Sequence, residues 1–369
     1  MPEALTPPPP ASLAQRVVDW QRLHGRHGLP WQGTRDPYRV WLSEVMLQQT
    51  QVSTVLGYYE RFLQRFPDVT ALAQAPVDEV LALWSGLGYY SRARHLHRCA
   101  QAVAQTHGGV FPRDSATLQT LPGIGPSTAA AIAAFCHGER AAILDGNVKR
   151  VLARALGHAD DLAVPAHERA LWRKAEALLP DSADMPAYTQ GLMDLGAQVC
   201  TVRRPSCLIC PLHEDCVARR LDRPQDFPVK TRRLKRSRRT STLLWLCLGP
   251  RLWLTRRPEQ GVWAGLWSLP EWPAERADGV GLPAWPGLWH ALPPIEHALT
   301  HLDWTLQPLR WTLPQDLTAS ARASIEQAVG PGRWCSRDEA LALGLPAPVR
   351  RLLLDAASGE RNDSTLLAG

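Results

Sequence analysis

A chain of 369 residues is long enough for two domains that each bury a core, and 45% hydrophobic with 21% charged residues is an ordinary soluble composition. The longest apolar runs, such as "LLWLCLG" at 243–249, are too short to span a bilayer, which argues against a membrane partner. The net charge of +6 is concentrated: "KTRRLKRSRR" at 230–239 holds seven basic residues and no acid, and taking these from the 41 Lys and Arg leaves 34 against 35 acids. Such a run favours phosphate backbones through counterion release, and it is equally what a solvated linker looks like.

In chain order, "MPEALTPPPP" reads as a disordered Pro-rich lead-in over 1–11. It has no basic segment followed by an apolar one, so no secretory signal is expected and the setting is a bacterial-type cytoplasm. Residues 12–225 are Ala/Leu-rich and helical in pattern, punctuated by stop signals such as "HGRHGLP", "SGLGYY" and "THGGVFP". Within them Trp41, Val45, Val52, Val55, Tyr59, Phe62 and Phe66 recur at helical steps and predict one apolar helical face. Glu44 and the polar run Gln48-Gln49-Thr50-Gln51 interrupt it.

A basic linker is expected over 226–240, and beyond it the pattern changes. "STLLWLCLGPRLWLTRRP" predicts two short strands around a Gly-Pro turn. "LDWTLQPLRWTL" (302–313) predicts a strand in which Pro308 confines part to an edge or bulge. "SRDEALALG" and "APVRRLLLDAA" predict helices, and 358–369 is a polar tail. The expected architecture is multidomain: an all-α domain over 12–225, the basic linker, and a smaller α+β domain over 241–357.

Three features carry chemistry. In "LQTLPGIGPSTAAAIAAF" (118–135), Pro126 suits the first position of a helix, while Gly123 and Gly125 permit a sharp turn and close approach of a ligand. A helix, L-P-G-I-G and a small-residue helix form a helix-hairpin-helix pattern, which grips DNA phosphates without reading sequence. Asp145, in "AAILDGNVKRVLAR", sits at the mouth of a helix expected to begin near Asn147, where an N-cap is the bland role. "CTVRRPSCLICPLHEDC" spaces Cys200, Cys207, Cys210 and Cys216 as C-x6-C-x2-C-x5-C. That spacing fits one metal centre and leaves zinc and an iron–sulfur cluster both open.

With "LPWQ" (29–32), "VWLSEVMLQQTQV" (40–52), "LWSGLGYYSRARHLH" (83–97), "LPGIGPSTA" (121–129), "ILDGNVKRVLAR" (143–154), "MDLGAQVC" (193–200) and the four cysteines, the sequence resembles the helix-hairpin-helix DNA glycosylases of the endonuclease III superfamily. Within it the chain is similar to the MutY-type adenine DNA glycosylases, more loosely so over 240–355. The resemblance implies a [4Fe-4S] cluster on the four cysteines and a catalytic pair, Glu44 and Asp145. Its substrate would be duplex DNA with adenine opposite 8-oxoguanine or guanine, and a monomer is expected.

The chemistry accords with that pair. Adenine leaves poorly as an anion, so its release needs a proton from a general acid, Glu44. The sugar's oxocarbenium character needs a carboxylate, Asp145. By the same resemblance Gln49 and Thr50 insert at the lesion once adenine is flipped out, with Leu87 and Tyr89 as a wedge. Trp31, Gln32, Val52 and Gln190 would line the adenine pocket, and Gly123, Gly125, Ser127 and Asn147 would face DNA. Strand-cutting relatives carry lysine where this chain has Ser127, so base removal without efficient strand cleavage is expected. The second domain resembles a Nudix-like 8-oxoguanine reader that lacks the acid-rich hydrolase box. Its recognition loop reads Leu299-Thr300-His301 where the family reads Phe-Ser-His, with Thr300 and His301 as the readers. The competing readings are an endonuclease III-like lyase acting on oxidised pyrimidines and a non-catalytic DNA-binding metalloprotein. Protein partners are not legible.

Overall fold

The apolar face predicted between Trp41 and Phe66 is built from two helices, Pro37–Leu47 and Val52–Arg65, rather than one. Asp36 caps the first through the Tyr38 N–H, and Pro37 sits at its start, where a missing N–H costs nothing. The polar run ends it: Gln48 leaves helical geometry, Gln49 turns left-handed at φ 57°, and Thr50 N–H closes back on the Leu47 carbonyl. Four side chains that compete for hydrogen bonds thus occupy a turn rather than a helix face.

The computed structural model describes residues 12–231, 235–272 and 283–355, so the expected lead-in 1–11 and tail 358–369 lie outside the described residues. Two units divide the chain: Met1–Tyr59, Asp68–Thr70 and Arg98–Arg233 form one, and Glu60–Pro67, Ala71–His97 and Leu234–Gly369 the other. The second therefore takes in a helical stretch that sequence assigns to the first domain. Among the described residues no helix is long and apolar enough to cross a membrane.

The first unit is helical. Helix Pro126–His137, buried along Ala129–Ala134, runs through a core that also holds Val17, Leu144, Val148, Leu152, Tyr188 and Leu192. Its small side chains let neighbouring helices pack closely around it. Helix Gly146–Leu156 follows, and Met185–Asp194 continues into a π-helical turn, Leu195–Val199, just before Cys200.

In the second unit, strand Ser237–Leu248 pairs in parallel with Leu302–Leu313, from Ser237 opposite Leu302 to Leu248 opposite Leu313. Both are central strands of a mixed eight-stranded sheet, which explains the buried run Ser241–Cys247. Strand Arg251–Arg256 returns after the Gly249-Pro250 turn, as the sequence predicts. Two expectations need correction. The first strand starts at Ser237, so the last four residues of the expected linker belong to the sheet. Pro308 lies in a central strand, not at an edge or bulge. Its missing N–H falls where the neighbouring ladder breaks: Leu288–Ala291 pairs with Leu309–Thr312 and Ile295–Ala298 with Asp303–Leu306. Pattern reading also passed over those two short strands, helix Ala319–Val329 and strand Gly332–Ser336. Trp263 and Trp304 stack with ring centroids 4.5 Å apart, and Trp304 and Trp311 are buried in this unit.

Gly344 tests the packing of the second unit. A Cβ there would stand 2.5 Å from Leu81 Cβ and 3.3 Å from Leu266 Cδ2. Gly344→Ala should cost about 1–3 kcal/mol through overpacking, read as a lower denaturation midpoint with an unchanged urea slope.

Candidate active site

The first unit contains a cavity of about 1170 Å³. Its wall brings together Trp31, Gln32, Glu44, Gln49, Thr50, Val52, Ser127, Asp145, Asn147 and Gln190, ten of the residues singled out in the sequence. Glu44 points into it from helix Pro37–Leu47, whose other side is buried through Trp41, Val45 and Met46. Burial, and secondarily the negative charge of Asp145, push the Glu44 carboxyl up to about 8. A carboxylic acid that keeps its proton at neutral pH is a competent proton donor.

Asp145 fills both roles open to it. Its Oδ1 accepts the Val148 N–H at 2.7 Å, capping helix Gly146–Leu156, and the same side chain lines the cavity. The positive end of a helix is a favourable seat for its negative charge. Ser127 Oγ accepts the Leu144 N–H at 2.9 Å, which ties the start of the hairpin's second helix to the segment delivering Asp145. In the hairpin itself Gly123 is left-handed at φ 79°, and a Cβ at Gly125 would meet nothing within 4 Å. Internal packing therefore does not demand glycine at 125; an outside ligand approaching the backbone would.

Two polar side chains are set by neighbours the sequence did not flag. Asp194, wholly buried, accepts from Arg26 Nε at 2.6 Å, from the Arg26 N–H at 2.9 Å and from Gln190 Nε2 at 2.8 Å, which fixes Arg26 and Gln190 in the cavity wall. Arg26 was missed because a lone arginine in a Gly/His-rich turn carries no local signal. Gln32 Oε1 accepts the Leu29 N–H at 3.1 Å. That contact fixes the amide's orientation and leaves its Nε2 buried with no partner in the protein. A buried amide donor without an acceptor costs free energy that a bound base can return.

Cys200, Cys207, Cys210 and Cys216 line a second, smaller cavity of the first unit together with Arg154. Arg154 donates to Cys200 Sγ at 3.3 Å, the Thr201 carbonyl at 2.6 Å and the Val202 carbonyl at 3.0 Å. Arg150 joins the Cys200 carbonyl at 2.7 Å to Asn147 Oδ1 at 2.9 Å. Among the described residues no three side chains converge tightly enough to grip a single metal ion. His213 bonds the Cys210 carbonyl through Nδ1.

The remaining expected residues lie in the second unit. Tyr89 is 44% exposed with φ 47°, while Leu87 is buried at 6%. Thr300 and His301 are exposed at the tip of a turn closed by Leu299 N–H on the Leu302 carbonyl, and Ser237 N–H holds the His301 carbonyl at 3.0 Å. Tyr89 and Thr300 join their hydroxyls at 2.8 Å.

Comparison with known proteins accords with this geometry. The profile of the HhH-GPD superfamily base excision DNA repair proteins matches residues 42–177, and that of the NUDIX domain matches 242–355. The adenine DNA glycosylase of Buchnera aphidicola subsp. Acyrthosiphon pisum (strain APS) is 37% identical over 259 residues, 70% of this chain and 74% of that protein. That of Mycolicibacterium smegmatis (strain ATCC 700084 / mc(2)155) is 45% identical over 190 residues, 51% of this chain and 64% of that protein. A solved thermostable thymine-DNA glycosylase superposes with a TM-score of 0.51 at 28% identity, covering 56% of this chain and 95% of its own. Fold and site together define a base-excision DNA glycosylase joined to a Nudix-like domain. The chain belongs to the adenine DNA glycosylase family.

With a protonated Glu44 as the expected donor, the rate of base release should fall as pH rises above about 8. Its folded-state value is raised, so the carboxyl destabilises the fold once pH exceeds its ordinary, unfolded value, and the penalty levels off above about 8. Glu44→Gln should therefore melt higher than wild type at pH 9, with the gap closing toward pH 4, while base release drops by about 10²–10⁴-fold. Thermal melts and single-turnover rates across pH check both halves.

Proposed function

We propose that this protein removes adenine from A:8-oxoguanine and A:G mispairs in duplex DNA, leaving an abasic site. The observation that carries the proposal is that Glu44 and Asp145 line one cavity, where burial pushes the Glu44 carboxyl up to about 8. The naming of the family's members as adenine DNA glycosylases supports adenine as the base removed.

Glu44 gives its proton to the departing adenine as the N-glycosidic bond breaks. Asp145 stabilises the positive charge left on the sugar, or bonds to it transiently. Water adds to the sugar carbon and its proton replenishes Glu44. Arg26, Gln32 and Gln190 hold the flipped base, the free amide hydrogens of Gln32 serving a ring nitrogen. Gln49, already turned outward in a left-handed conformation, fills the vacated stack with Thr50. Tyr89 is the exposed wedge, and buried Leu87 supports the loop that carries it. The hairpin glycines receive phosphate.

Ser127 offers no amine to attack the sugar, so strand cutting is not part of the reaction. Ser127→Lys should create borohydride-trappable adducts while losing the hydrogen bond to Leu144. Failure to trap any adduct would show that position 127 does not address the sugar.

For the cysteine loop we infer one [4Fe-4S] cluster. Four thiols spread around a shared cavity suit a polynuclear centre, and buried Arg154 supplies a positive charge next to the thiolates. When bound, the cluster would cross-link the loop through four Fe–S bonds, and no step of base removal is assigned to it. Cys207→Ser should reduce iron content and the melting temperature together, because ligation is coupled to folding of the loop. One stoichiometric zinc in the purified protein would overturn the cluster assignment.

Residues 241–357 would read the base opposite adenine through Thr300 and His301, with 12–225 carrying the reaction in a monomer of the bacterial cytoplasm. One added carbonyl and one added N–H distinguish 8-oxoguanine from guanine, worth roughly 1–3 kcal/mol to a hydrogen-bonding site. Thr300→Ala with His301→Ala should thus reduce the A:8-oxoguanine to A:G rate ratio roughly tenfold or more. The decisive assay is incubation with A:8-oxoguanine, A:G, A:T and thymine glycol duplexes, followed by alkali. Cleavage at thymine glycol alone would favour the lyase reading and sink this one.

A further inference from the structure

The loop Ser85–Tyr90 is unusual in its backbone. Gly86, Gly88 and Tyr89 all have positive φ, at 105°, 73° and 47°. For Tyr89 that conformation is strained and persists only where its surroundings enforce it. Part of the enforcement is local: Trp84 Nε1 donates to the Gly88 carbonyl at 3.1 Å, and Arg92 donates to the Leu87 and Gly88 carbonyls, each at 3.3 Å.

The rest comes from about 260 residues away, within the same unit. Ser85 Oγ donates to the Leu345 carbonyl at 3.1 Å, and Tyr90 Oη donates to the same oxygen at 2.9 Å. One buried carbonyl therefore clamps both ends of the loop. Arg350 holds the clamp: its Nε donates to Ser85 Oγ at 2.9 Å and its Nη2 to the Leu341 carbonyl at 2.6 Å. Ser85, Tyr90 and Leu345 are all buried, so water does not compete for these bonds.

We propose that Arg350, acting through Ser85 and the Leu345 carbonyl, is a positioning residue for the wedge Tyr89. The segment 341–350 then acts on how the duplex is opened by a route other than the Tyr89–Thr300 hydroxyl bond at 2.8 Å, which joins the wedge to the proposed reader. The proposal rests on the wedge role given to Tyr89 above. It requires that damage to the clamp slow both mispairs alike, whereas damage to the reader changes their ratio.

The test uses full-length protein and an uncleavable duplex, with adenine replaced by its 2′-fluoro analogue and a 2-aminopurine beside the mispair. Unstacking by the wedge raises 2-aminopurine fluorescence in the saturated complex, a signal that altered stability alone does not move. Arg350→Met should reduce that rise and slow single-turnover release at least roughly two- to tenfold on A:8-oxoguanine and A:G equally, since it removes the bonds to both Ser85 and Leu341 and one alone is worth about that factor. Should Arg350→Met fail to fold, Ser85→Ala and Tyr90→Phe each remove one arm of the clamp and should act in the same direction, with Arg350→Lys milder. Tyr89→Ala is the reference. If Tyr89→Ala abolishes the rise but the clamp variants keep it in full, the positioning role is overturned and the wedge survives. If Tyr89→Ala keeps the rise, the wedge reading falls and takes this inference with it. A change in the mispair ratio with Arg350→Met would assign the residue to reading instead.

Discussion

Much of the first unit depends on one buried guanidinium. Arg154 is 2% exposed and spends its donors on the cysteine segment: Cys200 Sγ, the Thr201 and Val202 carbonyls, and further along the Pro224 and Phe227 carbonyls. The segment from 200 to 227 has only short helical turns, and its carbonyls at Cys200, Thr201, Val202, Pro224 and Phe227 accept from side chains of a neighbouring helix. Arg154 and Arg150 satisfy them from a single helix, Gly146–Leu156. The N-cap of that helix is Asp145. One helix thus holds the cysteine loop at its side and a cavity-lining carboxylate at its mouth.

The second constraint is electrostatic. The proposed reaction asks that Glu44 be dry enough to keep a proton while Asp145 serves as a carboxylate in the wall of the same cavity. Their environments diverge because their backbones do. Glu44 projects from mid-helix, where the backbone N–H groups are already used, so burial dominates. Asp145 precedes a helix, where unpaired N–H groups await an acceptor. Two carboxylates of similar intrinsic acidity are thereby driven to different tasks by position alone. Their mutual repulsion, which raises Glu44 further, works in the same direction.

What could be read from the sequence follows the range of each interaction. The N-cap at Asp145, Pro126 at a helix start and the hairpin at Gly249-Pro250 are local and were legible. Glu44 and Asp145 were legible as a pair only through family resemblance, since their approach depends on tertiary packing. The turn at Gln48–Gln51 was hidden because the apolar spacing on either side nearly keeps helical phase across it. Pro308 misled for a related reason: a central strand tolerates proline where its partner ladder is interrupted, and that gap between Ala291 and Ile295 leaves no mark in the strand's own sequence. Arg26 with Asp194, and Arg350 with Ser85, are separated by 168 and 265 residues, and such pairs have no period to detect.

Strain is distributed in the same spirit. Four non-glycine residues among those described adopt positive φ: Gln49, Tyr89, Asp222 and Trp263. Two of the four are the side chains assigned to enter the duplex. A residue that must fill a gap in stacked bases cannot be buried in its own protein, and its backbone must project it outward. The left-handed conformation does this at a cost of order 1–3 kcal/mol each, borne during folding rather than at the encounter with DNA. Around Tyr89 the compensating bonds are visible in Arg92, Trp84 and the Leu345 carbonyl. Around Gln49 the turn is closed by the Thr50 N–H on the Leu47 carbonyl at 3.2 Å, with Gln48 Nε2 at 3.5 Å from Thr128 Oγ1. Each of these two left-handed residues thus sits beside hydrogen bonds made by its own turn, so its conformation is set within the chain rather than left to an encounter with DNA.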